Sequence, residues 1–548
     1  MQPPVRGKLL HRPVPLWSVH CPFSGIFMKN RILILVVLLL CACARHVSRH
    51  ETSADTLAAT QYGEVQGFAA AGVKTWLGIP YAAPPVGELR FRRNQPPIPW
   101  QGVKKCVAFG NKPIQYMNMF GLERSRVPAS EDCLYLNVWA PLTAAKDAKL
   151  PVFVWIYGGA YHMGEGSDPM YDGASFARDG VVFVNFNYRV GPLGFYDFSI
   201  YDKRFESNCG VSDQIAALRW VRDNIAAFGG DPNNVTIAGE SAGGTGVYNM
   251  LASPIAKGLF QKAIAESGVT GNTESRRMVE MNNTIFFEKL GINPRTDMAK
   301  LLDMPAQDML AAATFTLKEG PRRHPGIFMP GPVKDDLLPL HPWEALAQGN
   351  ARDVKVILGT NRNEGTLFAL LGLLPKDWQQ VEKMLRDNGA AASIPAVSEL
   401  YASEKGMKKL TTLAGDRAFV VDMVKSADAQ SAFNSTYVYR FDYAPLLPEL
   451  LLLGAAHSTE ISTALATNDH PFWLLTPASR RKELTQSMHG AWLNFVKTGN
   501  PNGPGVAPLW PQYEAGRRLT YIFDQTNTVE SNPHGAVYEV WKDIQLYQ

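Results

Sequence analysis

Apolar positions along the chain change period in blocks, and the blocks read as a mixed α/β domain. "YGEVQGF" and "VKTWLGIPYA" alternate apolar with polar residues and predict short strands, followed by the proline-punctuated loop "IPYAAPPVGELRF". "LYLNVWAP", "PVFVWIYGG" and "GVVFVNFNYR" are continuous apolar runs of strand length. Runs of that kind belong to strands buried on both faces. "SDQIAALRWVRDNIAAFGG" has helical spacing and a terminal glycine pair, and "NNVTIAGESAGGTGVYNMLAS" reads as strand turning sharply into helix. "VKVILGTNRNEG" repeats the strand pattern, residues 376–435 look helical, and "YVYRFDYA" supplies a late strand. The alternation predicts a central, mostly parallel sheet flanked by helices. Neither a repeat nor a linker divides it, so residues 59–548 are read as a single catalytic domain.

Composition adds little to that picture except at the N-terminus. A chain of 548 residues, 46% hydrophobic and 19% charged, can bury a large core. The formal charge of +4 owes five basic residues (Arg6, Lys8, Arg12, Lys29, Arg31) to the segment before residue 45, leaving 49 Lys and Arg against 50 Asp and Glu. That balance offers nothing to a nucleic acid. "MKNRILILVVLLLCACARH" places Lys29 and Arg31 before an apolar run over residues 32–40, too short to span a bilayer and shaped like a secretory signal. Residues 28–44 are therefore read as a signal peptide, 1–27 as an extension upstream of the true start at Met28, and 45–58 as a linker. Two processing routes fit: a small-residue peptidase site at Ala42-Cys43-Ala44, or a lipobox with Cys43 lipidated. Either makes the protein an exported one, periplasmic, extracellular or lipid-anchored at the cell surface. Of the three remaining cysteines, Cys106 and Cys133 are expected to form a disulfide and Cys209 to be a small packing residue.

Chemistry concentrates at Gly239-Glu240-Ser241-Ala242-Gly243. A bare G-x-S-x-G is common, but here it lies between a strand over residues 235–238 and a helix beginning at Ala242, the setting of a nucleophile elbow. A serine hydroxyl needs a histidine to take its proton, and that histidine needs a carboxylate to hold its tautomer. Four histidines follow any plausible acid. His489 falls in a helical pattern and His534 in a terminal loop, so both read as solvated or packing residues. His457 follows "LLLLGAA" in a loop after a buried segment and is the expected base, with His470 second. Glu364, just past the strand "VKVIL", is the expected acid, since an open α/β sheet places its site at the carboxyl ends of its strands.

Several ordered motifs carry a resemblance. "GIPYAAPPVGELRF", "SEDCLYLNVW", "WIYGGAY", "NYRVGPLGF", "ALRWVRDNIAAFGGDPNNVTIAGESAGG", "GTNRNEG", "GAAHSTEI" and "FVKTGNPN" resemble, in order, those of the type-B carboxylesterase and cholinesterase family. The likeness runs from about Tyr62 to Trp541. It implies the α/β-hydrolase fold with helical insertions over an active-site gorge, a nucleophile at Ser241, an acid at Glu364 and a base at His457. It also implies oxyanion donors from the backbone of Gly159, Ala160 and Ala242, and supporting roles for Glu240 and Ser267. Some positions depart from the family. Ala160 and Tyr161 replace the usual glycine and phenylalanine of the oxyanion loop, Ser458 replaces the glycine after the histidine, and Pro113 stands near the place of a family cysteine, so the family's early disulfide would need Cys106 as a substitute. No tryptophan lies between Gln115 and Ser130, where cholinesterases hold choline by cation–π contact, so a choline ester is not the expected substrate.

The expected reaction is acyl transfer to water through an acyl-enzyme, on apolar, non-choline esters, without metal or cofactor: neither metal-ligand spacing nor a dinucleotide or phosphate-loop fingerprint occurs. "TLFALLGLLP" and "YAPLLPELLLLGAA" read first as core. If exposed they would hold acyl chains or a polymer surface, making a polyester or polyester-polyurethane esterase at the cell surface an alternative. Adhesion members of the fold, which lack the nucleophile, are disfavoured because all three triad positions are filled. Amide or carbamate hydrolysis stays open, since a triad does not choose its leaving group.

Overall fold

The computed structural model describes residues 51–115, 125, 127–326, 330–467 and 471–546. The signal segment, Cys43 and His470 lie outside these residues, as does most of the 115–130 loop read for its lack of tryptophan.

Eleven strands form the central sheet: β1 (Phe68–Ala70), β2 (Val73–Pro80), β3 (Tyr135–Pro141), β4 (Leu150–Ile156), β5 (Val182–Phe186), β6 (Gly230–Glu240), β7 (Lys262–Glu266), β8 (Lys355–Asn361), β9 (Thr436–Phe441), β10 (Leu519–Phe523) and β11 (Thr528–Ser531). Their spatial order is β11-β10-β9-β8-β7-β6-β4-β5-β3-β2-β1. The stretch from β5 through β4, β6, β7, β8 and β9 to β10 is parallel, and the outer strands at both edges are antiparallel. Every residue of β5 and β7 is buried, as the continuous apolar runs predict for strands covered on both faces. Helices α1 (Cys209–Asn224), α2 (Ala242–Ala252) and α3 (Ala478–Thr498) are among those that cover them.

Two expectations need correction. The linker ends before residue 58, because a short helical turn at Ala54–Thr56 and the strand Leu57–Thr60 already belong to the fold. Ala58 is buried, and the Trp76 indole N–H donates to the Thr56 carbonyl at 2.6 Å. The Cys106–Cys133 disulfide is absent, both thiols being free and buried. The backbone of Cys106 is tied between Gln66 and Leu77, whereas Cys133 sits just before β3 in the neighbourhood of Arg189 and Asp213. Burial raises both thiols, that of Cys106 to about 12, so each is held as an inert packing group. Cys209 is buried as expected.

Candidate active site

The carboxyl ends of β6, β7 and β8 converge on one polar knot. Ser241 joins β6 to α2 with φ 59° and ψ −122°, a strained conformation for a residue with a side chain. Close approach of strand and helix forces it. A Cβ on Gly243 would lie 2.0 Å from the Ile156 carbonyl oxygen, and one on Gly239 would lie 2.5 Å from the same atom. The two glycines let the helix start against β4, while the Ser241 N–H is fixed to the Glu266 carbonyl at 2.9 Å.

His457 and Glu364 come together across 93 residues of sequence: Nδ1 meets Glu364 Oε2 at 2.5 Å, both side chains buried. Glu364 is itself held by the Ser267 hydroxyl at 2.6 Å and by the Asn361 N–H at 2.7 Å, both donating to Oε1. Its carboxylate therefore has one oxygen for the loop and one for the imidazole. His457 Nε2 is buried with no hydrogen-bond partner and lies 3.3 Å from Oε1 of Glu240, the residue before Ser241. Burial, the largest influence on the imidazole, works to lower its pKa. The charges of Glu240 and Glu364 and the Glu364 hydrogen bond overcome it, so the net shift is upward.

More carboxyls surround this pair than the sequence reading singled out. Burial raises Glu240 to about 7 and Glu266 to about 8, and it raises Glu460 well above the usual range with the help of neighbouring carboxylates. The Trp492 indole of α3 donates to Glu266 at 2.8 Å, and the Asn361 amide donates to Glu460 at 2.5 Å. Ser458 occupies the position after His457 with φ 68°, and its hydroxyl donates to Glu240 Oε1 at 2.6 Å. Its replacement of glycine thus introduces a hydrogen-bond donor to the carboxyl nearest Nε2. "AESG" and "HSTE" contain Glu266 and Glu460, but nothing in their local pattern foretells that they gather with Glu240 in one buried cluster of carboxyls.

The loop expected to supply oxyanion donors departs from regular backbone: φ is 114° at Gly159, 56° at Ala160 and 60° at Tyr161. The Gly159 carbonyl accepts from the His162 and Met163 N–H groups, while the N–H groups of Gly159 and Ala160 meet no acceptor among the described residues. Ala242, first residue of α2, leaves its N–H free of the helix ladder. Tyr161 stacks on Phe195 at 4.1 Å between centroids and accepts through its hydroxyl from Asn249 of α2, which ties this loop to the elbow helix. His489 and His534 are packing residues. The former bonds the Ala464 carbonyl and Asp179, and burial lowers the latter to about 3.

Beside His457 opens an apolar cavity of about 120 Å³, partly open to solvent, with walls that include Val269, Met278, Phe368, Leu373 and Phe419. The rings of Phe368 and Phe419 pack 5.1 and 4.8 Å from the imidazole. Phe419 belongs to a π-helical turn, Asp416–Val420, inserted between two α-helical segments. Such turns occur often at functional sites. The first apolar stretch is therefore only partly core: Leu367 is buried, but Phe368, Leu373 and Leu374 line the cavity. The second divides likewise, with Leu447 and Leu453 buried and Leu446, Leu450 and Leu452 exposed at 43%, 64% and 83%.

This sheet, the strand-to-helix elbow and the buried histidine–carboxylate pair define an α/β-hydrolase. The Carboxylesterase family model matches residues 54–541, and the chain belongs to that family. It is 38% identical to a para-nitrobenzyl esterase of Bacillus subtilis (strain 168), over 86% of this chain and 96% of that one. It is 35% identical to a liver carboxylesterase of Sus scrofa, over 88% and 91% respectively. A solved PNB esterase structure superposes with a TM-score of 0.80 at 36% identity, covering 89% of this chain and 99% of the other. A carboxylesterase of Geobacillus stearothermophilus gives 0.78 at 36% identity, covering 89% and 100%. The protein is a carboxylic-ester hydrolase, and its substrates are small-molecule esters.

Proposed function

We propose that Ser241 attacks the ester carbonyl, that His457 takes its proton through Nε2, and that Glu364 holds the imidazole tautomer and supports the imidazolium. The tetrahedral oxyanion is received by the N–H groups of Gly159, Ala160 and Ala242. His457 then protonates the departing alcohol, and water repeats the sequence on the acyl-enzyme. The observation that carries the reading is the buried His457–Glu364 pair at 2.5 Å, whose remaining ring nitrogen has no hydrogen-bond partner and lies 3.3 Å from Glu240, the residue before the strained serine. Preorganised backbone donors in a site of this kind are worth about 2.7–4 kcal/mol each. The expected substrates are apolar, non-choline esters, and the expected location is outside the cytoplasm, with Cys43 lipidated or removed along with the signal. The test is hydrolysis of p-nitrophenyl esters from acetate to palmitate. Ser241→Ala is expected to lower kcat by roughly 10⁴-fold or more. Equal rates in both proteins would refute Ser241 as the nucleophile.

A second reading, polymeric esters including polyester polyurethane, is favoured by the exposed Leu446, Leu450 and Leu452 on the segment leading to His457. Leu450→Ser with Leu452→Ser is expected to slow hydrolysis of a dispersed polyester severalfold more than hydrolysis of a soluble ester. An equal effect on both substrates removes the polymer reading.

A further inference from the structure

Arg417 lines the apolar cavity beside His457 and is the charged side chain among the lining residues. Its side chain is only 16% exposed. A guanidinium carries five N–H donors, and burying them without acceptors is costly. Here none of the five makes a hydrogen bond among the described residues, and Nε is fully buried without a partner. The nearest carboxylate oxygen, Asp422 Oδ1, stands 3.8 Å from Nη1, too far for a hydrogen bond, while Asp422 Oδ2 accepts from the Gly271 N–H at 2.6 Å. Asp422 thus compensates the charge of Arg417 without consuming its fork of donors. Arg417 stands on the π-helical turn two residues before Phe419, so the turn that packs an aromatic ring on the catalytic imidazole also delivers the cation to the cavity wall.

We propose that Arg417 is a specificity-determining residue that receives a carboxylate at the far end of an ester substrate. The preferred substrates are then esters carrying an apolar chain that ends in a carboxylate, such as half-esters of dicarboxylic acids or acylated ω-hydroxy acids. The apolar walls cover the methylene chain. The fork of donors, which matches a planar carboxylate, fixes its end. This rests on the esterase reading above and adds the substrate class.

The experiment compares each acid with a neutral counterpart of similar length. The acyl-side pair is p-nitrophenyl hydrogen adipate against p-nitrophenyl hexanoate, extended to C10, and the alcohol-side pair is 6-acetoxyhexanoate against hexyl acetate, followed by pH-stat. In at least one pair the natural protein is expected to favour the carboxylate, and Arg417→Met to lower that kcat/KM ratio about tenfold or more, with Arg417→Lys in between. The inference is overturned if neither pair discriminates, or if Arg417→Met keeps the ratio. Loss of all ester hydrolysis would strike the esterase reading instead. In that event thermal shift of the Ser241→Ala protein by suberate decides the site: stabilisation that disappears on adding Arg417→Met supports it, and no stabilisation overturns it.

Discussion

Two buried arginines lie on opposite terms with the fold. Arg189, just after β5, has four of its five donors in use: Nε and Nη2 donate to Asp213 of α1 at 2.8 Å each, Nη2 also donates to the Cys209 carbonyl at 3.4 Å, and Nη1 donates to the Arg92 carbonyl at 2.7 Å. Arg417, on the wall of the cavity, has a carboxylate at 3.8 Å and makes no hydrogen bond among the described residues. The first guanidinium ties an early strand to the helix that covers it, and the protein itself meets its demands. The second lines the cavity, where its donors are proposed to receive a ligand. A buried cation is therefore not by itself a sign of structure or of function; the count of donors already used separates the two.

The comparison breaks most visibly at Arg189. Arg189→Met leaves Asp213 buried and uncompensated, and denaturant unfolding is expected to show a loss of roughly 3–5 kcal/mol. Arg417→Met strands only an Asp422 that still holds the Gly271 N–H, and it is expected to cost far less. Equal losses in the two variants would erase the distinction.

A smaller effect sharpens the catalytic side. In the proposed mechanism the neutral imidazole is the base, so the upward shift of His457 is expected to place the acid limb of kcat/KM above that of an ordinary imidazole, with activity lost as pH drops through it. Removing the Ser458 hydroxyl takes a hydrogen bond from Glu240 that favours its charged form. In Ser458→Gly, Glu240 is more often neutral and supports the imidazolium less. The acid limb is then expected to move to lower pH, by up to about one unit. Glycine accepts the positive φ of this position, so the fold should tolerate the change. A limb that stays fixed or moves to higher pH contradicts the role given to Ser458.

Much of the site was legible because its signals are local. The glycines around Ser241 are required because a Cβ at either would fall 2.0 or 2.5 Å from the Ile156 carbonyl oxygen, and the glycine pattern that answers this is written within five residues. Glu364 and His457 could be chosen because each follows an apolar segment at the rim where such a sheet gathers its loops. The disulfide was misread because cysteine counting carries no geometry. The apolar stretches around Glu364 and His457 were left between core and exposed surface, and each proved to be partly both, because periodicity does not tell a buried wall from a cavity wall.

The sequence by itself determined the parallel α/β sheet, the elbow at Ser241 and its candidate partners, through strand-length apolar runs and steric demands on neighbouring residues. Only the tertiary structure decided that Glu240, Glu266, Glu364 and Glu460 gather in one buried cluster, that Ser458 donates to the one nearest the imidazole Nε2, and that Arg417 lines a cavity without a hydrogen bond among the described residues. Those facts depend on which side chains meet across tens or hundreds of residues and on how much water their meeting excludes, and neither is encoded in any local window of the chain.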